Sequence, residues 1–141
     1  MSTEENKALI RRISDEVINK GNFALTETLI AEDWQPVDPS PGQEAGRKSV
    51  LTNMARLRTA FPDLERTITD MVAEGDTVVQ SFTIRGTHLG EFMGIPPTGK
   101  RVAVHGMAID TIAAGQCKAT RMLLDNLSLL QQLGVIPAPG Q

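Results

Sequence analysis

Three side chains in the C-terminal half of this 141-residue chain bring acid-base or charge chemistry to a β-rich stretch: His105, Arg121 and Asp125. An imidazole with an ordinary pKa of ~6.5 takes or gives a proton near neutrality, so His105, mid-strand among Val102, Val104 and Met107, is a candidate base or acid. The alternative is a half-buried ring bonded to a neighbouring side chain. Arg121 offers a fixed fork of donors to a carbonyl or enolate oxygen, or else an ion pair to Asp125 or Asp110. Period two puts Cys117, Ala119, Arg121, Leu123 and Asp125 on one strand face. Asp125 also directly precedes a helical stretch, where an N-cap acceptor contributes about 1 kcal/mol.

Other chemistries lack their residues. One cysteine, Cys117, rules out an internal disulfide, and one Cys with two His falls short of the usual zinc sites, so no metal is expected. Neither GxGxxG nor GxxxxGK[ST] occurs, which removes most of the case for a nucleotide cofactor. The chain has no tyrosine to hold an oxyanion.

The elements that must position these groups follow from periodicity. Ser2 and Glu5 have capping-box spacing, and Leu9, Ile10, Ile13, Val17 and Ile18 mark a helix stopped by Gly21. A short second helix is expected from Phe23 to Ile30, then a loop from Trp34 to Gly46 with at most a short strand. Arg47 to Phe61 is helical again, ended by Pro62. Period two follows: a strand through Leu64, Ile68 and Val72, then strands over Thr77–Gly86, Lys100–Ile112 and Cys117–Asp125, then a helix from Asn126 to Leu133. Three helices followed by four hairpin-linked strands define an α+β cone, a curved antiparallel sheet with helices on one side enclosing a pocket. The loop Thr87–Gly99 would form a rim or lid.

The pocket wall expected on this reading holds Trp34, Met54, Phe82, Phe92, Met107, Ala119 and Leu123, with Asp38 as a polar group at one end. Each has a plainer reading: core packing for the apolar residues, and an Asx-turn acceptor for Asp38. His88 is read as a structural bond within its loop.

Length and composition fit one domain over residues 1–141: 40% apolar, 22% charged, net charge -3. No basic run interleaved with aromatics marks a nucleic-acid surface, no apolar stretch is long enough for a membrane span, and the N-terminus lacks a signal peptide's regions. A cytoplasmic protein is expected.

The segment Gly86–Gly99, GTHLGEFMGIPPTG, resembles the GTHxGEFxGIPPTG signature of SnoaL-like polyketide cyclases, or ester cyclases. Further matches run from NKALIRR at Asn6 to DNLSLLQQLGVIPAPG at Asp125 and cover nearly the whole chain. The resemblance implies the ketosteroid isomerase-like, cystatin-like α+β barrel fold, a homodimer, no cofactor, and intramolecular aldol chemistry on an aromatic polyketide ester. It also implies a pocket histidine near His105 and an acidic Asp at Asp125. Where family cyclases carry an acidic residue this chain has Ala119, and the family's Glu-His-Trp reads Ala119, Thr120, Arg121. A methyl group exchanges no proton. Three functions therefore stay open: a cofactor-free aldol cyclase or isomerase, a cofactor-independent hydroxylase of aromatic polyketides, and a non-catalytic binder of small hydrophobic molecules.

Overall fold

The first helix begins at the capping box. Ser2 Oγ accepts from Glu5 N at 3.1 Å, and Glu5 Oε1 accepts from Ser2 N at 3.1 Å. Two donors at the helix start are thereby satisfied. In the computed structural model, which describes residues 1–140, α1 spans Thr3–Arg12 and continues as a π-helical segment, Ile13–Asn19, up to Gly21 at φ 71°. A 3₁₀ turn (Phe23–Leu25) and α2 (Thr26–Leu29) follow.

Here the chain departs from expectation. The backbone turns extended at Ile30 and forms β1 (Ile30–Pro36), which pairs in parallel with the strand near the C-terminus. The run Glu32, Asp33, Trp34, Gln35, Pro36 has no period-two alternation, so the pairing had no signature to announce it. The remaining elements are α3 (Arg47–Ala60), β2 (Glu65–Glu74), β3 (Thr77–Thr87), β4 (Arg101–Ala113), β5 (Gln116–Leu124) and α4 (Asn126–Gln132).

The sheet order is β1-β5-β4-β3-β2, antiparallel except for β1 against β5. The expected four antiparallel strands become five among the described residues, the expected C-terminal helix is α4, and the curved sheet stays open, with β1 and β2 as its edges.

Two bulges set which side chains face the helices. Thr69 is the extra residue between Ile68↔Phe82 and Asp70↔Ser81, so β2 points Arg66 and Ile68 inward, then Met71 and Ala73. Val72, expected on the same face as Ile68, is consequently 63% exposed. Lys118 is the extra residue between Ile112↔Cys117 and Thr111↔Ala119.

Two apolar clusters bracket the interior. One joins Leu9, Ile10, Val17, Ile30 and Trp34 to Val78, Ile112 and Cys117. The other joins Ala60, Phe61 and Leu64 to Val102, Val104, Leu129 and Leu133. Gln132 fastens α4 to the stretch of β4 that runs past the end of β5, its Oε1 accepting from Ala103 N and its Nε2 donating to Ala103 O, both at 2.8 Å.

The signature loop has a packing role. Leu89 N and Gly90 N both donate to Ala60 O, and a Cβ on Gly90 would lie 2.3 Å from Thr59 O, so only glycine fits against the end of α3. His88, 0% exposed, accepts from Thr98 N at 3.2 Å through Nδ1, which also lies 3.0 Å from Thr98 Oγ1. Its ring packs against Phe61. No residue of 87–100 lines the cavity described below, so the loop is neither its rim nor its lid.

Candidate functional site

Between the helices and the inner sheet face lies a cavity of about 830 Å³, within the ~300–1,000 Å³ range of small-molecule sites. Its walls include Ile10, Ile13, Met54, Phe82, Ile84 and Met122. One connected polar chain crosses this wall. Arg66 Nη1 donates to Ser14 Oγ at 3.3 Å and to Gln80 Oε1 at 2.9 Å. Gln80 Nε2 donates to Asp110 Oδ2 at 2.8 Å, and Thr120 Oγ1 donates to Asp110 Oδ1 at 2.8 Å. Trp34 Nε1 in turn donates to Thr120 Oγ1 at 3.2 Å. The indole thus fills an acceptor position on the hydroxyl and leaves its proton for the carboxylate.

Strand alternation builds this arrangement. In β4, Val102, Val104, Ala108, Asp110 and Ile112 are all buried, while His105, Met107 and Ile109 between them are exposed. In β3, Val78, Gln80 and Phe82 share the inward face. Asp110 (3% exposed) and Arg66 (5% exposed) are polar residues on a greasy wall. Burial pushes the Asp110 pKa up, and the hydrogen bonds from Thr120 and Gln80, the charge of Arg66 and the contact with Cys117 offset only part of that. Burial pulls Arg66 down to about 10 against the pull of Asp110, so it stays charged at neutral pH. Cys117, beside Asp110 and Thr120, is pushed up to about 12 by burial and by the Asp110 charge, which keeps it a thiol.

The residues singled out by sequence do not converge. His105 lies on the outer face with Nδ1 3.0 Å from Thr83 Oγ1. Asp125 is the N-cap of α4, accepting from Ser128 N at 3.1 Å. Arg121 pairs with Asp38 at 3.2 Å, rather than with Asp125 or Asp110, and both partners are largely exposed. The bulge at Lys118 is the reason: beyond it Thr120 and Met122 join the cavity wall, and Ala119 and Arg121 do not.

Trp34, Met54 and Phe82 line the cavity as expected, and Asp38 and the exposed Leu123 stand at its margin. Met107 is 58% exposed on the outer face, Ala119 lies off the wall, and Phe92 packs edge-on against Phe61 in the second cluster. Sequence reasoning missed Asp110 as a pocket acid, along with Arg66, Gln80 and Thr120. Counting parity along Val102, Val104, Ala108 and Ile112 would have put Asp110 inside and His105 outside.

Among the described residues, no group of three His, Cys, Asp or Glu could hold a metal ion, and no helix is long and apolar enough to cross a membrane. A curved open sheet wrapped over helices around one cavity with a buried carboxylate defines the fold class. The chain belongs to the SnoaL-like polyketide cyclase family, whose model matches residues 8–133.

Solved structures agree over nearly the full length. TsrD from Streptomyces laurentii is 26% identical with a TM-score of 0.88, covering 96% of this chain and 99% of that one. AclR from Streptomyces galilaeus, described as a proposed hydroxylase, is 27% identical with a TM-score of 0.85, covering 99% and 87%. IdmH from Streptomyces antibioticus, described as a proposed polyketide cyclase, is 29% identical with a TM-score of 0.79, covering 92% and 98%. No curated protein matches the chain.

Proposed function

We propose that the protein is a cofactor-free acid-base enzyme acting on a small, hydrophobic, polyketide-like molecule, with Asp110 as the proton-transfer group. The observation that carries this reading is the buried Asp110 carboxylate on the inner wall of the cavity, beside Phe82 and Met122 and held by Gln80 and Thr120. A methylene flanked by carbonyls is already acidic. Asp110 takes its proton, the resulting enolate carbon attacks a second carbonyl to form the ring bond, and Asp110 returns the proton to the new alkoxide. A raised pKa suits this role, because a stronger base needs less driving force to remove a carbon-bound proton. The role that the resemblance attached to the Ala119 position passes to a residue on the neighbouring strand.

The test uses a generic carbon acid. Methyl benzoylacetate in D₂O should exchange its methylene protons faster with the protein than in buffer, and Asp110→Asn should lower the protein-dependent rate by about 10²-fold or more. Exchange no faster than buffer would remove the acid-base reading and leave a binding protein.

The likeness to AclR, described as a proposed hydroxylase, supports a second reading: cofactor-independent hydroxylation, in which the substrate's own deprotonated phenol activates oxygen. Product formation that persists under strict anaerobiosis would exclude it.

The reading includes a homodimer. On the outer sheet face Val72, Met107, Ile109 and Leu123 are all exposed, and Met107↔Leu123 and Val79↔Ile109 are cross-strand neighbours, so the apolar surface is continuous. Light scattering should show a dimer that Met107→Glu weakens. A monomer in the unmodified protein at every concentration tested would refute it.

A further inference from the structure

Arg66 carries a charge that the protein does not balance directly. Among the described residues it forms no salt bridge. Its two hydrogen bonds, to Ser14 and Gln80, both go to neutral groups and both use Nη1. Its guanidinium lies 3.7 Å above the Phe82 ring, a further neutral contact. Nε and Nη2 bond no protein group, yet neither is sealed from solvent, and Arg66 lines the cavity. An arginine that is 5% exposed and lacks an adjacent anion is costly unless something supplies the missing charge. The free Nε–Nη2 edge presents two parallel N–H donors, a geometry that matches the two oxygens of a carboxylate.

We infer that the cavity is selective for an ionised organic acid, whose carboxylate docks on the Nε–Nη2 edge of Arg66 while its apolar body lies against Phe82, Met54 and Trp34. This rests on the reading of the cavity as the substrate site, and it deepens that reading by naming the substrate class: a carboxylate-bearing aromatic compound rather than its neutral ester. Binding alone tests it, with no need for turnover.

The probes are 1-hydroxy-2-naphthoate and its methyl ester, titrated calorimetrically into the unmodified protein. The acid should bind about tenfold or more tightly than the ester. Arg66→Met should abolish that preference while leaving ester affinity within about twofold, which also reports that the variant's cavity is intact, and Arg66→Lys should keep part of it. Equal affinities of acid and ester for the unmodified protein overturn the carboxylate assignment and leave the cavity reading standing. Failure of both probes to bind overturns the two together. If Arg66→Met does not fold, the acid-ester comparison on the unmodified protein decides alone.

Discussion

Arg66 and Asp110 share one charge network without touching: the Gln80 side chain stands between them, its oxygen turned to the cation and its nitrogen to the carboxylate. A direct pair would hold the acid ionised and weakly basic. The amide spacer fixes both groups while leaving Asp110 with a pKa above the ordinary carboxylate range.

That upward shift has a sign in stability. Folded Asp110 keeps its proton to higher pH than the unfolded chain, whose aspartate releases it near ~3.9, so its contribution falls as pH rises from about 4 through the folded pKa. Asp63, whose pKa is lowered by hydrogen bonds from Thr87, acts in the opposite sense at acidic pH, so the difference between two proteins isolates the effect. Denaturant unfolding of the unmodified protein should lose stability across that window relative to Asp110→Asn. Parallel pH profiles would contradict this.

Asp125→Ala removes a helix cap and nothing from the cavity wall. We expect a loss of about 1 kcal/mol in unfolding free energy, with Asp125→Asn recovering most of it, and unchanged affinity for a cavity ligand. Weaker ligand binding by a folded Asp125→Ala protein would return Asp125 to the site.

Cys117, with a pKa pushed up to about 12, presents on the order of 10⁻⁴ of its population as thiolate at pH 8. Alkylation by iodoacetamide should therefore be far slower than for a free thiol and should accelerate on unfolding. Rapid modification of the folded protein would show that the thiol is neither buried nor protonated as described.

Gly90→Ala forces a methyl group onto the Thr59 carbonyl. Overpacking of this kind costs roughly 1–3 kcal/mol, here at the junction of the signature loop with the end of α3. A melting temperature equal to that of the unmodified protein would show that the loop yields freely. His105→Ala, in contrast, removes an exposed ring and its one bond to the buried Thr83 hydroxyl, and should change stability by about 1 kcal/mol.

The helices and the signature loop were legible because their signals are local: a capping box at Ser2 and Glu5, 3.6-residue periodicity, and glycines whose positions only glycine tolerates. The site was less legible. The signature secures the family, yet His88 and Gly90 serve packing, so the strongest motif says little about the reaction. Asp110 and Gln80 were readable from alternation that runs the length of β4 and, in β3, from Thr77 to Phe82. The orientation of β5 was not, because a bulge leaves no mark in the order of side chains, and neither was the parallel pairing of β1, which depends on a strand about eighty residues away.

The extra residue at Lys118 makes β5 behave like a message with a frame. Pairing Lys118 into an unbroken pleat would exchange the whole set beyond it: Ala119, Arg121 and Leu123 would turn toward the ligand, and Thr120, with its bond to Asp110, would turn away. Losing Lys118 itself would only iron out the bulge and leave the wall as it stands, since Cys117 opposite Ile112 and Ala119 opposite Thr111 already fit a regular ladder.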